Sequence, residues 1–318
     1  MIGARHDPVI HSLYGIRIRT PWPMTGVPIA DGVWDVEFVE GDAGTLAAAA
    51  SQVPQKQARS WAQSAALPDG SQYRRWTNLF EFLVAPDARR IHARTLAGVE
   101  DEALLAYLLV DALSFSMVRL GWEPLHATAV ATDRGVAAFL GNSGAGKSTL
   151  AAAFVRNGAR LVTDDMLILT RESSRWLAQP GPPRIKLYRD MALQIFGTDQ
   201  NGIPMNSATE KLIVPLDSRR AIAVAAPVTG LYIVDDADYA ASRDVAIDHL
   251  SPARAFPAVL AHTAAHYPSE PDRLRRQLDF AAHLVRDVPV RKLAYARSRE
   301  GMLRAREAVL ADLGRSIV

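Results

Sequence analysis

The chain has 318 residues and no cysteine. That absence excludes a disulfide framework and every thiolate metal site, and agrees with a reducing compartment. A surplus of charge is missing too, since 36 basic and 34 acidic residues leave a formal net charge of +2. So even a balance argues against an electrostatically driven nucleic-acid binder. Nor is there an apolar run of membrane length. The most apolar stretch, 103–120, is interrupted by Asp111, Ser114, Ser116 and Arg119, and it falls short of the ~20 apolar residues that a span needs. It reads as a buried helix. Residues 1–14 carry His, Asp and Pro where a secretory signal needs an apolar core. The expectation is a cytoplasmic protein that contacts neither membrane nor nucleic acid.

What is present is enough apolar sequence for a large α/β domain with an appendage, or for two domains. Residues 1–118 read as a β-rich (α+β) region. Segments 15–19 and 33–38 alternate with strand period, and 79–84 is a third strand candidate. No nucleophile, metal cluster or glycine fingerprint stands out there, which suits a structural or substrate-positioning module. Segment 100–120 has helical spacing. Residues 119–318 then alternate strands and helices, the pattern of an α/β nucleotide-binding domain. Strands are expected at 125–131, 135–140, 161–163, 231–234 and 290–294. A helix from 150 should stop at Asn157-Gly158, and the tail should be helical over 252–262, 273–285 and 301–313.

Gly141-Asn142-Ser143-Gly144-Ala145-Gly146-Lys147-Ser148 matches the P-loop pattern G-x-x-x-x-G-K-[ST] at each fixed position, with Thr149 following. The glycines allow consecutive backbone N–H groups to turn inward around a phosphate. The helix that follows adds its positive end. Lys147 can reach the β- and γ-phosphates of ATP, and the Ser148 hydroxyl can ligate Mg²⁺. An apolar strand before the loop and an alanine-rich helix after it supply the context that this mechanism needs. In an open parallel sheet, ligands lie beyond the carboxyl ends of the strands. The strand returning from the helix ends at Asp164-Asp165, which places both carboxylates beside the loop. One can bind Mg²⁺ while the other accepts a proton from an attacking hydroxyl. His126 follows from register. A hairpin turning at Asp133-Arg134 pairs Thr132 with Gly135, and so sets His126 opposite Gly141.

His126, the loop and Asp164-Asp165 together resemble the catalytic domain of bacterial HPr kinase/phosphorylase. His126 lies 15 residues before Gly141, and Asp164 lies 17 after Lys147, as in that family. The resemblance runs from about 120 to the C-terminus and is strongest over 125–169. It implies an HPr-kinase-like P-loop catalytic domain with a β-rich N-terminal region and a helical C-terminal tail. It makes Asp164 the general base toward a serine hydroxyl and gives Asp165 a share in Mg²⁺. The family's glutamate-, arginine- and glycine-rich segment after the aspartates is absent here, where Pro182-Pro183-Arg184-Ile185-Lys186-Leu187-Tyr188 stands instead. That departure points away from HPr as substrate. The chain is more similar to stand-alone HPr-kinase-like proteins, some of which phosphorylate the C-terminal serine of lasso-peptide precursors.

Arg184, Lys186 and Lys211 are candidate cations for charge on the transferring phosphoryl group. His262 and His266 at i, i+4 lack the helical glutamate of a zinc pair and read as a helix face. The expected partner is a peptide or protein bearing a serine, and self-association stays open. Two alternatives remain. A mechanical ATPase would use the strand 231–234 with Asp235-Asp236, but no Leu-Ser-Gly-Gly-Gln-like signature precedes it. A nucleotide sensor would bind without transfer.

Overall fold

The computed structural model describes residues 7–57, 60–96, 99–197, 202–235, 245–263 and 270–315. The protein is mixed α/β. It divides into two units, one of residues 1–122 with 203–211 and one of 123–202 with 212–318. Among the described residues no helix is long and apolar enough to cross a membrane.

The first unit opens with the hairpin β1 (Val9–Leu13) and β2 (Ile16–Thr20). Tyr14 and Gly15 turn it with positive φ of 57° and 79°, the two-residue geometry whose twist suits a hairpin. Five more strands follow: β3 (Val36–Glu40), β4 (Ala62–Ala66), β5 (Gln72–Trp76), β6 (Phe80–Val84) and β7 (Arg90–Thr95). The sheet order is β1-β2-β3-β7-β6-β5-β4. Sequence reading finds β2, β3 and β6 but not β1, β4, β5 or β7; the outward positions of β5 and β7 are polar or charged, and β4 is the weakly apolar Ala-Gln-Ser-Ala-Ala. On β7, Ile91 and Ala93 are buried, while Arg90 and Arg94 reach carboxylates on neighbouring strands. Arg90 pairs with Glu37 at 2.9 Å, Arg19 also holds Glu37, and Arg94 holds Glu81. The Tyr73 hydroxyl donates to the same Glu81 at 2.6 Å.

Helix α1 (Ala43–Ala50) starts at Asp42, whose carboxylate accepts the Thr45 N–H at 2.8 Å, an N-cap of the usual kind. The expected helix over 100–120 is present as α2 (Asp101–Tyr107), a π-helical turn (Leu108–Ala112) and α3 (Leu113–Arg119). Leu104, Leu108, Ala112 and Leu113 along it are fully buried, as its apolar character requires.

The second unit holds β8 (Ala127–Thr132), β9 (Gly135–Leu140), α4 (Lys147–Arg156), β10 (Arg160–Thr163), β11 (Leu169–Glu172), β12 (Arg175–Ala178), β13 (Arg184–Tyr188) and α5 (Arg189–Phe196). β14 (Ile203–Asn206) falls in the first unit, and β15 (Thr209–Pro215) is divided between the two at Lys211. The second unit continues with β16 (Ala226–Val234), β17 (Ala246–His249), α6 (Pro252–Leu260), α7 (Pro271–Asp287), β18 (Val290–Ala294) and α8 (Arg299–Arg315). The three tail helices and the strand between them lie where the sequence pattern put them.

The sheet is mixed rather than open and parallel, which corrects the expectation. Its order is β10-β8-β9-β16-β12-β11, with β18 beside β16 and β17 beside β18. β8 runs antiparallel to both β9 and β10. β9 and β10 therefore run the same way, and their carboxyl ends emerge on one side. The placement of Asp164 near the loop survives for this different reason. Residues alternate between two cores. Val136, Ala138 and Leu140 join one with Ala281 and Leu284 of α7, while Ala137 and Phe139 join the other with Leu150 and Phe154 of α4. The Phe139 and Phe154 rings lie 5.5 Å apart. Helix α4 ends at Asn157 and Gly158, the latter with φ +96°, as expected of a helix stop.

Glu123, at the start of this unit, is buried, and neither carboxylate oxygen has a hydrogen-bond partner among the described residues. Burial raises its pKa, while Arg273 and Arg276 pull the other way. A raised pKa means that the folded state prefers the protonated acid. The stability that this contributes is present below the unfolded pKa of about 4.3 and is lost as pH rises through the folded value. Glu123→Gln is therefore expected to stabilise the protein at pH 7 and to make no difference near pH 4. Urea midpoints at the two pH values check this. An equal gain at both would point to packing rather than ionisation.

Candidate phosphate-binding and proton-transfer site

The loop after β9 is shaped by three glycines with φ of +157°, +88° and +89°, at Gly141, Gly144 and Gly146. Gly146 is the N-cap of α4, in the left-handed region. A Cβ there would stand 3.3 Å from the Tyr295 hydroxyl, and one on Gly141 would stand 3.1 Å from the Val234 carbonyl. Both positions combine backbone conformation with close approach. Gly146→Ala is expected to cost about 1–3 kcal/mol of stability and to weaken pyrophosphate binding. Calorimetric titration beside a urea melt checks both effects.

Lys147 is buried. Its ammonium donates to the carbonyls of Gly141 at 2.7 Å and Asn142 at 2.9 Å, and stands 3.0 Å from His126 Nε2. The β8–β9 register runs from Thr132↔Gly135 to Ala127↔Leu140, so His126 sits one step beyond, level with Gly141. On its other side His126 Nδ1 is 3.1 Å from the Asp165 carbonyl. Burial and the Lys147 charge lower the His126 pKa. A neutral ring fits both contacts, with Nδ1–H donating to the carbonyl and Nε2 accepting from the ammonium.

Asp164 is the centre of the site. It follows β10 and is buried. Oδ1 accepts the Ser148 and Thr128 hydroxyls, each at 2.7 Å, and Oδ2 accepts the Lys186 N–H at 2.8 Å. Burial raises its pKa, the Asp165 charge adds to this, and the hydrogen bonds offset part of it. Asp165 has φ +70°, a conformation that costs a non-glycine residue energy. Its carboxylate pairs with Lys186 Nζ at 2.8 Å. β13 thus serves both aspartates, through the backbone and the side chain of one residue. Arg184, two residues earlier, shares that face of the strand and is buried.

The residues proposed from sequence, His126, 141–149, Asp164, Asp165, Arg184 and Lys186, all belong to the second unit, whereas Lys211 belongs to the first. The His262 carbonyl accepts the His126 N–H at 2.7 Å. His266 and Asp236 lie outside the described residues.

No family model matches the chain. No curated protein matches it either. Among solved structures, the Hpr(Ser) kinase/phosphatase from Coxiella burnetii is similar at a TM-score of 0.32 and 13% identity, over 60% of this chain and 97% of that one. A TM-score of that size leaves the reading of the site to its own geometry.

Sequence reasoning missed Thr128, Tyr295 and Arg297. Thr128 was within reach, since a residue two positions from His126 in a strand shares its face. The other two follow β18, the parallel neighbour of β16, which is in turn the parallel neighbour of β9. Burial raises the pKa of Tyr295 to about 12, so its hydroxyl keeps its proton beside Gly146. Arg297 donates to the Gly144 carbonyl at 3.4 Å.

Proposed function

We propose that the protein is an ATP-dependent kinase that transfers the γ-phosphoryl group to a serine hydroxyl of a peptide or protein. The observation that carries this reading is the 2.7 Å hydrogen bond between Ser148 and Asp164. It joins a phosphate loop to a buried carboxylate with raised affinity for a proton. Transfer to a hydroxyl needs both a held triphosphate and a proton acceptor.

In this reading the second unit is an HPr-kinase-like catalytic domain. The N–H groups of 141–149 hold the phosphates, and Lys147 exchanges its loop carbonyls for phosphate oxygens. Asp164 receives the serine proton. Arg184 and Lys186 offset charge on the transferring group, and neutral His126 holds Lys147 and the Asp165 backbone in place. The hydroxyl of Ser148 and the carboxylate of Asp165 are hard oxygen donors suited to Mg²⁺. Among the described residues no group of three His, Cys, Asp or Glu side chains could hold a metal ion, so a Mg²⁺ held here would need phosphate and water as its other ligands. When bound, it would neutralise charge on the phosphates.

The resemblance to stand-alone proteins of this type makes the C-terminal serine of a lasso-peptide precursor the first acceptor to try. The Ser148 hydroxyl, which a motor would set against Asp235, donates to Asp164, and Asp235 pairs with Lys292 at 2.7 Å; this favours the kinase reading. The test is incubation with Mg²⁺, γ-labelled ATP and serine peptides, including peptides that end in serine. Label on a peptide is the expected result. Phosphate release independent of any peptide would indicate a motor, and nucleotide retention with neither would indicate a sensor.

A further inference from the structure

A cavity of about 420 Å³ lies at the far end of α4 from the phosphate loop, lined by that helix, α5 and the start of α8. Its volume is within the range of small-molecule sites, roughly 300–1,000 Å³. Phe196, Met302 and Leu303 give it apolar walls, and Arg156, Arg299 and Gln194 supply its polar groups. Among the described residues, no aspartate or glutamate lines it. Neither Arg156 nor Arg299 forms an ion pair with a described residue, whereas the neighbouring Glu300 is held by Arg304. Two further cations stand close by. Arg306 donates to the Asn157 carbonyl at 3.4 Å, and the Arg220 guanidinium lies 5.6 Å from the Phe196 ring centre.

A surface that gathers this much positive charge around apolar side chains, with no carboxylate among the described lining residues, is complementary to a ligand that is itself both apolar and anionic. Guanidinium groups suit carboxylate, sulfonate or phosphate through paired N–H donors. The apolar walls accept the body of such a molecule. We infer that this cavity is a second ligand site, for a small amphipathic anion consisting of an aromatic or branched aliphatic group with one acidic head. The inference does not depend on phosphoryl transfer, because every residue in it lies outside the loop and the aspartates.

The test uses the full chain with pyrophosphate in excess to fill the phosphate loop. The probe is 8-anilinonaphthalene-1-sulfonate, titrated by fluorescence, beside the neutral N-phenyl-1-naphthylamine. The expected result is one saturable site for the sulfonate, with binding at least tenfold weaker in Arg156→Ala/Arg299→Ala and unchanged in Arg275→Ala, a surface change on α7 away from the cavity. The neutral compound should bind at least tenfold more weakly than the sulfonate and ignore both changes. Both lining arginines are exposed, so the double variant should keep the parent's circular dichroism and urea midpoint. Equal sulfonate affinity in the double variant, equal affinity for the neutral compound, or no saturable binding would each overturn the site.

Discussion

Asp164→Asn is expected to lower phosphoryl transfer about a thousandfold, within the 10²–10⁴ typical of a general base, while nucleotide affinity stays within a few-fold. The amide keeps the shape of the side chain and loses its charge and its proton affinity. Its oxygen can still accept the Lys186 N–H, and the Ser148 and Thr128 hydroxyls can rotate to accept from its NH₂. The site should therefore hold together. Lys147→Ala differs in kind. It removes the cation that stands 2.7 Å and 2.9 Å from the loop carbonyls, so nucleotide binding and transfer should both fall. Equilibrium dialysis with labelled ATP, run beside single-turnover transfer, separates the two. If Asp164→Asn instead weakened nucleotide binding only when Mg²⁺ was present, Asp164 would be holding the ion and the base would have to be sought at Asp165.

The loop 141–148 is legible because its pattern is written in consecutive residues. Its glycines, which take positive φ, the lysine and the serine fall within eight residues, and no distant partner is needed to recognise them. His126 and the aspartates were legible at one remove, through a hairpin register and a returning strand. The register 132↔135 is as expected, and Asp164 meets Ser148 although the sheet between them is mixed. Lys186 was proposed only as a cation. That its backbone N–H also fixes Asp164 could not be read, because β13 reaches the aspartates by tertiary placement. The polar strands β4, β5 and β7 stayed hidden for a related reason. The outward arginines of β5 and β7 look like loop until Glu37 and Glu81 appear across from them, and β4, Ala-Gln-Ser-Ala-Ala, has a single buried residue to mark it. Alternation of burial defines a strand, and a charged outer face with buried partners weakens that signal.

The second large effect concerns stability rather than chemistry. Asp312 of α8 and Arg291 of β18 form a buried ion pair, with side-chain exposures of 2% and 1%. The Tyr232 hydroxyl donates to the same carboxylate at 2.7 Å, and the Arg291 guanidinium lies 5.4 Å from the Tyr232 ring centre. Gly230 makes room, since a Cβ there would come within 2.9 Å of Arg291 Nη1. Removing one partner strands the other charge in the interior, so Asp312→Ala is expected to cost about 3–5 kcal/mol. In a unit of this size that should lower the melting midpoint by about 10 °C. Tyr232→Phe removes one hydrogen bond and should cost only about 1 kcal/mol. Replacing both charges together, as Asp312→Leu/Arg291→Met, should recover most of the loss, because the desolvation of two ions disappears with their attraction. Urea unfolding of the three variants is the measurement. A double variant as unstable as Asp312→Ala would mean that the site needs its polar network for packing, and not merely charge balance.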